Sequence, residues 1–111
     1  MINVSPESAV AAWLDGSGLF VDVRTPGQHA VDGIDGSACL PLEAIQAGEL
    51  PVEAASGKTI LLVCNYGRMS ELAALYLQEA GVTNAVSVLG GLPRLRELLA
   101  MAATPGRTPH R

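Results

Sequence analysis

Two apolar runs constrain this chain more than any other feature. Leu19-Phe20-Val21-Asp22-Val23 and Thr59-Ile60-Leu61-Leu62-Val63 are nearly continuous hydrophobic stretches of strand length. A strand with one wet face alternates apolar and polar residues, whereas an unbroken run is buried on both faces, as in a parallel sheet. Helical patterns lie between such runs. Ser5-Pro6-Glu7 opens the first one: Ser can cap, Pro suits the first helical position and Glu favours the positive end of the dipole. Val10, Trp13 and Leu14 are expected on its buried side, with a stop near Gly16. A second helix is expected from Ser70 to Ala80, with Leu72, Leu75 and Tyr76 on one face and Gly81 after it. Ala85-Val86-Ser87-Val88-Leu89 reads as another strand, and Gly90-Gly91 turns the chain into a last helix from Pro93 to Ala102. Shorter pieces complete the pattern: a strand at Ala38-Cys39-Leu40, a brief helix from Leu42 to Ala47 closed by Gly48, and a turn at Gly57-Lys58. Thr25 to Ser37 is rich in Gly, Pro and Asp and reads as a long loop. The alternation predicts an α/β fold, a three-layer domain with a mostly parallel central sheet and helices on both faces.

The 111 residues suit one domain, expected over 1–103. Residues 104–111 carry no core residue and are expected to be a disordered tail. Hydrophobic residues are 49% of the chain and aromatics only 4%, so Leu, Val, Ile and Ala must build the core. The formal charge is -4 with no basic run, which argues against a nucleic-acid partner and leaves any anion to be held by local groups. No apolar stretch approaches the roughly 20 residues of a membrane span. Residues 1–7 show no basic region followed by an apolar run, so a reducing cytoplasm is the expected location.

The chemistry is expected in Val63-Cys64-Asn65-Tyr66-Gly67-Arg68-Met69-Ser70-Glu71. A buried strand ends at Cys64, a compact loop spans Asn65 to Met69, and a helix starts near Ser70. Ligands of open α/β sheets bind where strands end and helices begin. Loop N–H groups and the helix dipole would there stabilise a thiolate, and would suit the larger anion of a persulfide. Gly67 permits a backbone geometry that a Cβ would obstruct. Ser70 can cap the helix or donate to the sulfur. Arg68 is read as an anion clamp, since guanidinium suits oxyanions. Tyr66 either walls the pocket or is an exposed loop residue. Asp22 and Arg24 are read as ordering the loop at their strand end. Cys39 is read as a small buried hydrophobe, and without a CxxC the two cysteines form neither a thioredoxin-type pair nor a four-cysteine zinc site.

These residues carry a family resemblance. Cys64-Asn65-Tyr66-Gly67-Arg68-Met69-Ser70 resembles the rhodanese active-site loop, C-x-x-G-x-R-S. Asp22-Val23-Arg24-Thr25-Pro26 is similar to the family's D-V-R-x-P, and the stretch down to Ala38-Cys39-Leu40-Pro41-Leu42 fits its G-H-I-P-G-A-x-x-I-P-L segment without a gap. Glu79-Ala80-Gly81-Val82 and Leu89-Gly90-Gly91-Leu92 resemble E-A-G-F and L-x-G-G. The resemblance covers the chain except its tail. It implies a sulfurtransferase in which Cys64 takes sulfur from a small donor such as thiosulfate, holds it as a persulfide, and passes it to cyanide or a thiol. It implies substrate contacts at Asn65, Tyr66, Gly67, Arg68, Met69 and Ser70, no metal, no organic cofactor, and a sulfur-relay protein as a possible partner.

The chain departs from the pattern at defined places. Met69 stands where the family has arginine, and Arg68 lies one place earlier. Gln28 replaces the glutamate that pairs with the arginine of D-V-R, and Asp32-Gly33-Ile34-Asp35-Gly36 replaces G-H-I-P-G. The tryptophan expected after Gly90-Gly91 is missing. His29 takes a position usually aromatic, so packing is its expected role, and His110 in the tail is expected to be solvated. Two other functions stay open. A phosphatase or arsenate reductase would need C-x5-R, whose arginine position here is Ser70. A binding or sensing module of the same fold would turn over little.

Overall fold

The computed structural model describes residues 2–103 of the chain. The expected disorder of 104–111 and the solvation of His110 lie outside the described residues. Five strands form one sheet in the order β1-β5-β4-β2-β3, and every pairing is parallel. They are β1 (Asn3–Val4), β2 (Gly18–Asp22), β3 (Ala38–Cys39), β4 (Thr59–Val63) and β5 (Ala85–Val88). The helices are α1 (Pro6–Leu14), α2 (Pro26–Asp32), α3 (Leu42–Gln46), α4 (Arg68–Glu79) and α5 (Leu92–Ala103), with a 3₁₀ turn at Val52–Ser56. Each strand is followed by a helix, so the α/β expectation of a parallel sheet holds.

The unbroken strands are explained by a core on each side. Side chains alternate across a strand. Ile60, Leu62 and Cys64 therefore join Ile45, Ala73, Ala74 and Leu77 beneath α3 and α4. Leu61 and Val63 join Ala9, Val10, Leu92 and Leu95 beneath α1 and α5. The central strand β4 thus has no wet face, and it delivers Cys64 at its C-terminal end.

Three readings of local structure need correction. Thr25 to Ser37 is not all loop: α2 starts at Pro26 with a capping box, in which Thr25 Oγ1 accepts from the Gln28 N–H and Gln28 Oε1 accepts from the Thr25 N–H. This helix buries no residue, so it has no hydrophobic stripe to betray it. In α1, Ala9 and Val10 are buried and Trp13 packs on Phe20, with ring centroids 4.9 Å apart, but Leu14 is exposed. It is the last helical residue and borders an open cleft with Ile34 and Leu99. In α4 the buried face is Ser70, Ala73, Ala74 and Leu77, while Leu72, Leu75 and Tyr76 are 40–45% exposed. The two alanines let the helix lie close to the sheet, and contacts of Ser70 at the strand end fix its rotation.

Sequence also missed β1 and the 3₁₀ turn. β1 is two residues long, too short for a periodic signal, and is defined by its pairing with Ser87 and Val88.

Candidate active site

Cys64 leaves β4 and the chain turns back within three residues into α4, which begins at Arg68 rather than near Ser70. The turn depends on Gly67, whose φ of +99° suits glycine. Gly67 is the N-cap of α4 and has no side chain to cap with. The sulfur takes that place. Cys64 Sγ accepts from the Gly67 N–H at 3.1 Å and from the Ser70 N–H at 3.3 Å. Those donors would otherwise be orphans of the first turn. Ser70 is therefore not the cap that sequence allowed; it is the third residue of the helix. Its hydroxyl oxygen lies 3.5 Å from Cys64 Sγ, 3.2 Å from the Gly67 carbonyl and 2.7 Å from Ser87 Oγ. Cys64, Ser70 and Ser87 are all buried.

The loop is held from two sides. The Leu92 N–H donates to the Cys64 carbonyl at 3.0 Å. Gly91, with φ of +74°, lies so close to the Asn65–Tyr66 peptide that any Cβ there would collide with backbone. From the other side Arg24 reaches across: its Nη1 donates to Asn65 Oδ1 at 3.1 Å. The same guanidinium meets Asp22 at 2.9 Å and Asp32 at 2.9 Å. Asp22 and Arg24 are buried. The Asp22 carboxylate raises the arginine's affinity for its proton against the cost of burial, with Asp32 adding to it. Arg24 in turn holds the Asp32 carboxyl below its ordinary range. Asp32 also pairs with Arg96 of α5 at 3.0 Å, which ties the end of α2 to the domain. Asp32 thus supplies the carboxylate for Arg24, while Gln28 is spent on its capping box.

The remaining loop side chains point outward. Tyr66 is 76% exposed and Met69 40% exposed. Arg68 is exposed and makes no ion pair or hydrogen bond among the described residues. It lines a groove with Leu42, Met69, Glu71, Leu72 and Leu75 along the outer side of α4. Cys39 is half-buried rather than fully buried, and its thiol donates to the Arg24 carbonyl at 3.6 Å. Burial pushes this thiol's pKa up, the Asp22 carboxylate adds to that, and Arg24 opposes it. His29 uses its ring for polar bonding as well as packing, with Nε2 at 3.0 Å from Ser37 Oγ. No group of three or more His, Cys, Asp or Glu among the described residues is placed to hold a metal. No described helix is long and apolar enough to cross a membrane.

Sequence reasoning passed over three residues of this site. Gly91 reads in the sequence as a turn and as part of an L-x-G-G match but not as a wall of the Cys64 loop, Asp32 only as a departure, and Ser87 only as part of a strand. The signal for Ser87 was a hydroxyl two places from Ala85, on the same face of an otherwise apolar strand.

Comparison with known proteins agrees with the fold. A family model for the rhodanese-like domain matches residues 6–97. The thiosulfate sulfurtransferase GlpE of Pseudomonas entomophila is 31% identical over 106 residues, covering 96% of this chain and 90% of that protein. The probable adenylyltransferase/sulfurtransferase MoeZ of Mycobacterium tuberculosis is 32% identical over 82 residues, which are 72% of this chain but only 21% of MoeZ. Among solved structures, the rhodanese homolog TT1651 of Thermus thermophilus is 38% identical, with a TM-score of 0.65 over 83% of this chain and 98% of that one.

Proposed function

This chain belongs to the rhodanese-like family of sulfurtransferases, and from that premise we propose that it moves sulfane sulfur from a small donor such as thiosulfate to a thiophilic acceptor through a persulfide on Cys64. The observation that carries this reading is the pair of main-chain N–H bonds received by Cys64 Sγ at the start of α4. Such donors stabilise an anion in a fixed place without reorganising.

In the first displacement the Cys64 thiolate attacks the outer sulfur of thiosulfate. The new S–S bond forms as the S–S bond of the donor breaks, and sulfite leaves with the electron pair. The terminal sulfur of the resulting persulfide carries the negative charge. In the second displacement cyanide, or a thiolate, attacks that terminal sulfur, giving thiocyanate or a new persulfide and returning Cys64 as thiolate. Splitting the transfer in two lets donor and acceptor use the site in turn. Gly67 and Ser70 hold the sulfur; Arg24, itself held by Asp22, fixes the loop through Asn65; Tyr66, Arg68 and Met69 stand on the outer rim of the loop, where a donor would pass. Neither a metal nor an organic cofactor takes part. A free thiol as nucleophile suits a reducing cytoplasm. A sulfur-relay protein is kept as the acceptor class beside cyanide and small thiols; the pairing of adenylyltransferase and sulfurtransferase in the name of MoeZ fits a sulfur-transfer role of that kind.

The test is intact mass after incubation with thiosulfate. The expected result is a gain of one sulfur atom that cyanide removes as thiocyanate, absent in Cys64→Ser. A second reading, a binding or sensing module with little turnover, is favoured by the outward placement of Arg68 and Met69. No mass gain and no thiocyanate would select it.

A further inference from the structure

Ser87 is a hydroxyl in the wrong place for a core strand. It lies on β5, paired with Leu62 of β4 on one side and Asn3 of β1 on the other, and it is fully buried. Its neighbour on the same face, Ala85, belongs to the apolar core under α4. A buried hydroxyl costs free energy unless it is hydrogen-bonded. Among the described residues, the bond recorded for the Ser87 side chain is to Ser70 Oγ, at 2.7 Å. Ser70 in turn is the hydroxyl beside Cys64 Sγ.

The direction of these bonds depends on the charge of the sulfur. A hydroxyl has one proton to give and two lone pairs to accept with. Ser70 Oγ has two acceptor-only neighbours when Cys64 is a thiolate, the sulfur and the Gly67 carbonyl. It can satisfy one of them. While Cys64 is a thiol, the S–H donates to Ser70 and the Ser70 proton is free for Gly67. Once the sulfur is anionic, the favourable place for that proton is the sulfur. Ser70 then has a lone pair to fill, and Ser87 is the neighbour with a proton to fill it.

We propose that Ser87 is a positioning residue for sulfur transfer: it donates to Ser70 and so orients the Ser70 hydroxyl toward the sulfur of Cys64 whenever that sulfur bears negative charge. The inference rests on the reading of Cys64 as nucleophile. The bond is short and wholly buried, where a chain of hydroxyls polarises in sequence.

The test is a double-mutant cycle on the full chain with Ser87→Ala, Ser70→Ala and both together. It reads kcat and KM for thiosulfate, the alkylation rate of Cys64 by iodoacetamide at one fixed pH, and Tm. A neutral hydrogen bond corresponds to roughly a 2- to 12-fold effect. Ser87→Ala is therefore expected to lower kcat and the alkylation rate by about that factor, with KM unchanged. In the Ser70→Ala background it should lower neither further, because the link to sulfur is already cut. Losses that multiply in the double variant, or wild-type rates in Ser87→Ala, would overturn the proposal. Where Ser87→Ala folds poorly, Ser87→Thr and Ser87→Val repeat the comparison. They share a shape and differ in the hydroxyl, so Thr should keep both rates and Val lose them; equal rates in the two would overturn the proposal. The alkylation arm separates the failures. A wild-type chain that takes no sulfur from thiosulfate fails the functional reading, while alkylation of Cys64 still decides whether Ser87 acts on it.

Discussion

Cys39 and Cys64 occupy the same kind of position and have opposite surroundings. Each stands at the C-terminal end of a parallel strand, Cys39 closing β3 and Cys64 following β4. After Cys39 the main-chain donors are spent on the neighbouring strand: the Leu40 N–H donates to the Asp22 carbonyl and the Leu42 N–H to the Val23 carbonyl, both at 2.9 Å. The Cys39 thiol is left facing an acceptor, the Arg24 carbonyl. After Cys64 the chain turns at Gly67 straight into α4, and two donors converge on the sulfur. A strand end makes a site only when the next turn leaves its N–H groups unspent.

The sharpest way to break this comparison is to remove each sulfur. Cys64→Ser is expected to lower thiosulfate:cyanide transfer by at least about 10³-fold, as loss of a covalent nucleophile does. Cys39→Ser should stay within about 2-fold of wild type, since Cys39 contacts the Arg24 carbonyl and none of the donors around Cys64, so the change leaves the cradle intact. Comparable loss in both variants would point to a mechanism that uses two thiols.

Arg24 joins the two regions, because its carbonyl faces Cys39 and its guanidinium holds Asn65 beside Cys64. Arg24→Ala would leave buried Asp22 without its partner, at a cost of about 3–5 kcal/mol. At about 4–8 °C per kcal/mol for a domain of this size, Tm should fall by more than about 10 °C. Arg24→Lys should recover only part, since an ammonium cannot bridge Asp22, Asp32 and Asn65 as the planar fork does. A thermal scan showing Arg24→Ala melting with the wild type would refute the role given to this cluster.

The parts of this site that are local in sequence were legible. The unbroken run Thr59–Val63 announced a strand buried on both faces, and Cys64 through Ser70 announced a tight turn into a helix. Thr25-Pro26-Gly27-Gln28 announced a helix start as clearly as Ser5-Pro6-Glu7 did, yet the Gly, Pro and Asp around it suggested loop instead. The rotation of α4 was hidden for a different reason. Leu72, Leu75 and Tyr76 mimic a buried stripe, but Ser70 must meet the sulfur, and that turns the alanine face inward. Ser87 with Ser70, and Asp32 with Arg24, are brought together by packing. No spacing rule reaches such pairs.

Alkylation tests the contrast between the sulfurs without any sulfur donor. With limiting iodoacetamide near neutral pH, peptide mapping should find Cys64 labelled before Cys39. A cysteine is charged when it loses its proton, so a raised pKa keeps Cys39 as unreactive thiol to higher pH. Its labelling should therefore rise on the alkaline side and narrow the gap. The same sign governs stability. The neutral Cys39 is favoured by the fold, and that contribution is lost as pH climbs through its raised pKa. Preferential labelling of Cys39 at neutral pH would reverse the assignment.

The smallest expected effect lies at the mouth of the Cys64 loop. The family pattern has arginine where this chain has Met69, and a thioether cannot hold a sulfonate. Met69→Arg should therefore lower the KM for thiosulfate. A buried charge-assisted bond would give about 10- to 150-fold. Met69 is 40% exposed, however, so the new charge would stay largely solvated. Exposed ion pairs contribute about 0.2–1 kcal/mol, which sets the expected gain at roughly 1.5- to 5-fold. Being exposed, that gain should shrink as salt is raised. Arg68→Ala should leave KM within about 2-fold, because Arg68 lines the outer groove of α4 with Leu72 and Leu75. Steady-state kinetics of the three proteins at two salt concentrations decide it. A large rise in KM for Arg68→Ala would mean that Arg68 turns inward when thiosulfate binds. An unchanged KM in Met69→Arg would leave the backbone N–H groups around Cys64 as the whole of the anion site, and the contrast with Cys39 would then rest on main chain alone.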